Sequence, residues 1–172
     1  MSDKTSKTGN KTGRTVAVLG AVLAAAVVVM LAALCLPQNG KTTFTPPPFE
    51  QNAVAGTPTV PEELGYSAPY KPGMAYRFSV CGNVTAEGTD AVVYLTNPAE
   101  NTVWLKLRVL DENGNILGET GLLRPGEYVR CVALSTVPPA GSPITLKIMG
   151  YEPDTYYSAG SATLATAMAA AD

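Results

Sequence analysis

The chain has 172 residues, with 12 Lys and Arg against 14 Asp and Glu, and no histidine. A formal net charge of −2 gives phosphate backbones no basic surface to bind, so nucleic acid is not an expected partner. The absent imidazole removes the commonest general base and transition-metal ligand, and with them a histidine triad or a histidine-held zinc. The chain carries Cys35, Cys81 and Cys131 but no CxxC pair, so it encodes neither a zinc ribbon nor a thioredoxin-like redox motif.

Charge is unevenly divided along the chain. Residues 1–14 carry Lys4, Lys7, Lys11 and Arg14 against Asp3, whereas residues 37–172 hold eight Lys/Arg and thirteen Asp/Glu, a net of 8 − 13 = −5. Between them, Thr15 to Leu36 reads TVAVLGAVLAAAVVVMLAALCL, without a charge. About 22 residues at about 1.5 Å each would cross a hydrocarbon core of about 30 Å. Four basic residues lie just before this segment and the uncharged Gln38, Asn39 and Gly40 just after it, so residues 1–14 are expected in the cytoplasm and the rest of the chain outside. A cleaved signal peptide is the rival reading, but its apolar region is usually about 7–15 residues long. A lipoprotein is a further alternative, though Leu34 is bulky for the residue before a lipidated Cys35. An uncleaved signal anchor over residues 15–36 is the expectation.

Residues 37–73 hold eight of the fourteen prolines, among them Pro46, Pro47 and Pro48 between Phe44 and Phe49. Such composition favours extended polyproline II and predicts an extracytoplasmic linker, with a reach on the order of 100 Å. The Phe44–Phe49 stretch reads as plain linker with two anchoring aromatics, or as a ligand for an aromatic groove.

From residue 74 to 170 short β-rich runs alternate with turn signals. They predict seven strands, at Ala75–Thr85, Ala91–Thr96, Val103–Leu110, Ile116–Thr120, Glu127–Leu134, Ile144–Tyr151 and Ser158–Ala167, forming an all-β immunoglobulin-like or fibronectin-like sandwich. In the first strand Tyr76, Phe78, Val80 and Val84 alternate with Arg77, Ser79, Cys81 and Asn83, which puts Cys81 on the wet face. In the third, Val103, Leu105, Leu107 and Val109 point inward, leaving Trp104, Lys106 and Arg108 outward. These three are the candidate binding face. An aromatic body beside long cationic side chains suits a partner surface, and it is equally what a solvated sheet covered by Lys and Arg stems looks like.

Asn113-Gly114 marks a tight hairpin into the fourth strand. Asp111, Asn113 and Asn115 also match the first positions of a calcium loop, but Ile116 stands where glycine is needed and Leu122 where the bidentate glutamate belongs, so no metal is expected there. Gly121 to Gly126 and Pro138 to Gly141 read as further turns. Cys81 and Cys131 could pair outside the cell, although in an immunoglobulin-like strand order the second strand separates the first from the fifth. Two unpaired cysteines packed as small apolar residues are the alternative. Tyr151, Tyr156 and Tyr157, near the turn into the last strand, either cap the core or line a carbohydrate-stacking surface.

Asn97-Pro98, Trp104-Leu105-Lys106-Leu107, the turn Gly121-Leu122-Leu123-Arg124-Pro125-Gly126 and Gly150-Tyr151 together resemble the immunoglobulin-like modules of membrane-anchored surface proteins of gut Gram-positive bacteria. The resemblance spans Ala91 to Ala167. It implies a cell-surface setting, sometimes alongside conjugation or secretion machinery, and no catalytic residues. The expected function is therefore a non-catalytic, membrane-tethered module that binds a protein or a wall polymer. A structural subunit of an envelope secretion or conjugation apparatus is the alternative, for which Gly20 and the alanine-rich run would allow close helix packing. No nucleophile elbow, phosphate loop or cofactor motif is present, so neither an enzyme nor a cofactor is expected.

Overall fold

The computed structural model describes residues 44–69 and 73–170. The tail 1–14, the apolar run 15–36 and Cys35 lie outside the described residues, among which no helix is long and apolar enough to cross a membrane. Every strand belongs to the unit that begins at Thr45. In chain order these are β1 Val54–Ala55, β2 Tyr66–Ser67, β3 Val80–Cys81, β4 Thr85–Glu87, β5 Asp90–Asn97, β6 Trp104–Leu110, β7 Ile116–Glu119, β8 Glu127–Ala133, β9 Pro143–Tyr151 and β10 Ser158–Ala167, with one 3-10 turn at Glu62–Leu64.

The strands form two four-stranded antiparallel sheets, ordered β1-β8-β5-β4 and β10-β9-β6-β7, and a small β2-β3 pair. Inward residues of both large sheets share one core. Val93, Leu95, Val129 and Val132 come from the first, and Leu105, Leu107, Val109, Leu146 and Ile148 from the second. The period-2 alternation read from β6 is the one observed, with Val103, Leu105, Leu107 and Val109 all buried.

Two buried side chains fix how the chain enters and leaves this core. Asn97, at the end of β5, donates through Nδ2 to the carbonyls of Val103 and Leu123, each at 2.9 Å, and its Oδ1 accepts from Asn101 Nδ2 at 2.7 Å. It ties the end of β5 to the start of β6 and to the segment at Leu123. Tyr76 lies against Gly150, and its hydroxyl sits 3.1 Å from the Ile148 carbonyl and 3.0 Å from that of Gly160. A Cβ at Gly150 would fall 2.4 Å from the ring, so glycine there is a packing requirement.

The turn chemistry follows the sequence. At the β6–β7 hairpin, Asp111 Oδ1 accepts from the backbone N–H of Asn113 and of Asn115 at 2.9 and 2.7 Å, and Gly114 takes φ +82°. At Arg124-Pro125-Gly126-Glu127, the Glu127 N–H donates to the Arg124 carbonyl at 3.1 Å and Gly126 takes φ +81°, as a type II turn requires.

Three expectations need correction. First, the proline-rich segment is not a spacer throughout, because residues 45–69 are built into the domain. Leu122 N–H donates to the Pro48 carbonyl and Glu50 N–H to the Leu122 carbonyl, both at 2.9 Å, so Phe49 pairs in parallel with Leu122. Proline cannot donate, but this contact asks Pro48 only to accept. Val54 and Ala55 then pair with Tyr128 and Glu127, and Leu64 buries itself against the outer face of the β1-β8-β5-β4 sheet. Second, the predicted first strand is broken. Gly82 and Asn83 interrupt it, Val84 bridges to Met168, and only β3 and β4 remain as strands. Third, Cys81 is not on a wet face. It is fully buried with Leu64 and Val92 in a second, small core, which exists because residues 60–66 cross the sheet's outer side.

Within the first sheet the pairing slips between Val92 and Leu95, so that Val93 and Tyr94 of β5 face the single residue Arg130 of β8. Tyr94 takes φ +44°, an unfavourable conformation for an aromatic residue, at a cost of about 1–3 kcal/mol. As a result Arg130 and Cys131, consecutive in β8, both lie outside the core, between the buried Val129 and Val132.

Candidate functional site

The outer face of the β10-β9-β6-β7 sheet carries the residues singled out from the sequence. Trp104, Lys106 and Arg108 alternate outward along β6, and β9 sets Tyr151, Met149 and Lys147 opposite them. The structure thus brings the three onto one face, but it gives them different environments.

Trp104 is half-buried between two rings. Phe49 meets it edge-on, with centroids 4.9 Å apart and planes at 78°, and Tyr156 lies tilted at 5.2 Å and 60°. The Arg124 guanidinium sits 3.7 Å above the Phe49 centroid, in cation–π range, while its Nη1 approaches Glu127 at 3.5 Å. Tyr157, adjacent to this group in sequence, is 71% exposed.

Lys106 is not a free cation. It is 5% exposed, and its ammonium donates to Glu119 Oε1 at 2.7 Å. Arg108 Nε donates to the other oxygen of the same carboxylate at 2.8 Å. Burial pushes the Glu119 carboxyl upward, but the hydrogen bonds and charges of Lys106 and Arg108 outweigh it and hold the acid below its usual range. One carboxylate across the hairpin therefore neutralises much of the predicted cationic face. The accessible positive charge around Trp104 comes instead from Arg124, with Arg108 and Lys147 further along the sheet.

Sequence reasoning missed Phe49, Arg124, Tyr156 and Glu119 as parts of this cluster. Glu119 was within reach, because the Asn-Gly hairpin sets it opposite Arg108. Phe49 was not, since nothing local joins it to a residue 55 positions later.

Cys81 and Cys131 are free thiols. Both border the small core around Val92, whose strand pairs Val92 with Cys131. Burial pushes the Cys81 thiol up to about 11, and burial also raises Cys131 against the opposing charge of Arg130. Neither is poised as a nucleophile at neutral pH.

No protein-family model matches the chain, and no curated protein is significantly similar to it. Among solved structures, the crystal structure of Ruminococcus gnavus β-glucuronidase in complex with uronic isofagomine is similar at a TM-score of 0.36 and 20% sequence identity. The match covers 53% of this chain, which spans 14% of the length of that enzyme. The described residues establish an all-β protein of antiparallel sheets with an aromatic cluster on one outer face.

Proposed function

We propose that the chain is a non-catalytic module held in the cell membrane by residues 15–36, with residues 1–14 in the cytoplasm. It displays an immunoglobulin-like two-sheet domain outside, and the face around Trp104 binds a protein or a wall polymer. Because residues 45–69 belong to the domain, the spacer shrinks to residues 37–44, which reach no more than about 25 Å at about 3.1 Å each.

The observation that carries this reading is the half-buried Trp104 between Phe49 and Tyr156, with Arg124 over Phe49. Tryptophan, tyrosine and arginine are the residue types that dominate binding energy at interfaces. Rings already held by one another lose little conformational freedom when a partner covers them. The uncharged 22-residue run supplies the membrane half of the proposal.

The test is a pull-down with tagged full-length protein from the membranes of cells that express it, comparing wild type with Trp104→Ala and identifying bound proteins and glycans by mass spectrometry. Release of a partner by Trp104→Ala supports the reading. Retention of the same membrane proteins by both forms would make the helix the working surface and would favour an apparatus subunit instead.

A further inference from the structure

The sheet opposite the aromatic cluster carries a second group of functional side chains, centred on the bulge at Tyr94. We propose that this outer face of the β1-β8-β5-β4 sheet is a binding site for an uncharged oligosaccharide. The proposal deepens the display reading by naming a ligand class, and it rests on that reading only in assuming that a surface polymer lies within reach.

Two open grooves, of about 450 and 730 Å³, both have Tyr94 and Arg130 in their walls. The bulge presents these residues together. Arg130 Nε lies 3.2 Å from the Tyr94 hydroxyl, its guanidinium carbon is 5.8 Å from the ring centroid, and its Nη2 is paired with Glu87. Tyr94 holds a left-handed backbone while its ring packs partly against the small core of Leu64, Cys81 and Val92 and its hydroxyl meets Arg130. Strain of this kind collects at sites that bind.

The chemistry of the walls selects the ligand. Glu63, Glu87 and Asp90 stand against the single cation Arg130, which Glu87 already engages, so an anion meets a net negative surface. Asn52, Thr57, Thr59, Asn83 and Thr85 set amides and hydroxyls beside apolar wall residues such as Leu64 and Val92, a mixed lining that suits a ligand carrying both C–H faces and hydroxyls.

A peptide adding to a sheet needs an open strand edge. A ligand that fills both grooves instead crosses from β4 over β5 to β8, and β5 is paired on both sides. Its recognition falls to side chains. A chain of neutral sugars suits them, because its C–H faces stack on an aromatic ring and its vicinal hydroxyls both donate to a carboxylate and accept from a guanidinium.

The experiment uses the full chain in phosphatidylcholine nanodiscs, free of sugar-based detergent. Cellohexaose, xylohexaose, mannohexaose and chitohexaose are titrated calorimetrically, with hexagalacturonate as the anionic control and hydrogen exchange to locate the contact. At least one neutral hexamer is expected to bind and to protect residues 85–95 and 127–133. Tyr94→Ala and Glu87→Gln are each expected to weaken it by about tenfold, with Trp104→Ala within about twofold of wild type. Glu87 is exposed, so its substitution reports on the site even if Tyr94→Ala proves unstable. The proposal is overturned if no neutral hexamer binds at millimolar concentration, if hexagalacturonate binds more tightly, or if protection falls on residues 104–108 and 149–157. Because the pull-down reads Trp104 and this footprint reads Tyr94, failure of one leaves the other standing.

Discussion

Replacing Gly121 with alanine should detach the proline-rich strap and uncover Trp104 while leaving the core folded. Gly121 has no left-handed φ, so alanine meets no backbone penalty there and acts by contact alone. Its Cβ would fall 2.5 Å from Glu50 N, 2.6 Å from Glu50 Cα and 2.7 Å from the Phe49 carbonyl carbon. These are main-chain atoms, which cannot swing aside as a side-chain tip would, so the strap itself must move. Its movement sacrifices the Glu50–Leu122 and Leu122–Pro48 bonds and the 2.7 Å bond from Gly121 N–H to Glu50 Oε2.

Two neutral bonds at about 1 kcal/mol and one charged bond at about 1.5 kcal/mol sum to about 3.5 kcal/mol, or about three hundredfold in the docking equilibrium. Phe49 leaves with the strap. Trp104 is the chain's single tryptophan, so its emission is expected to shift to longer wavelength and its quenching by acrylamide to rise. The urea midpoint of the main transition should change little, because the loss is a local opening. Glu50→Gln, which keeps the backbone contacts, should show a much smaller effect. Unchanged emission and quenching in folded Gly121→Ala would refute the claim that Phe49 covers Trp104.

Gly150→Ala should cost about 1–3 kcal/mol by driving a methyl into the Tyr76 ring, and a Gly150→Ala/Tyr76→Leu double variant should lose less than the sum of the singles; simple additivity in urea unfolding would show that the ring yields freely. Asn97→Ala leaves the Val103 carbonyl without its side-chain donor, while the Leu123 carbonyl keeps the Leu105 N–H, and should lower unfolding free energy by about 2 kcal/mol, with a loss under about 0.5 kcal/mol counting against the three-segment junction. Glu119 is depressed in the folded state, so its contribution is full above the ordinary glutamate range and disappears as pH falls through the lowered value. The stability gap between wild type and Glu119→Gln should therefore be widest near neutrality and close in acid, and a gap that persists at pH 2 would mean the carboxylate's charge is not what matters.

Much of the domain was legible because burial imposes period 2. The strands from Asp90 to Ala167 fall within a residue or two of their expected places, and the Asn-Gly and Pro-Gly turns set their order. The proline-rich segment hid its role because its pairings are two residues long or single bridges, too short to print a period. Cys81 was misplaced for a related reason. Alternation assigns a residue to one of two faces, but whether the outer face is wet depends on what else crosses it, and here Leu64 and Tyr66 do. Trp104 was correctly placed outward by phase, whereas its neighbours Phe49 and Tyr156 come from segments brought in by tertiary structure. The Tyr94 bulge leaves no mark in β5, which keeps its in-and-out alternation; its trace is in β8, where two residues separate the buried Val129 and Val132.

The strap also determines how the domain would carry mechanical load. A pull on the chain ahead of residue 45 reaches Pro48 and Glu50 first, and there the two Leu122 hydrogen bonds, the Gly121–Glu50 contact and the packing of Phe49 on Trp104 and Arg124 resist it. The central ladders of the two sheets lie beyond that junction. The domain would therefore yield in two stages, first releasing a short length of slack and uncovering an aromatic surface, and only later, at higher force, losing its fold.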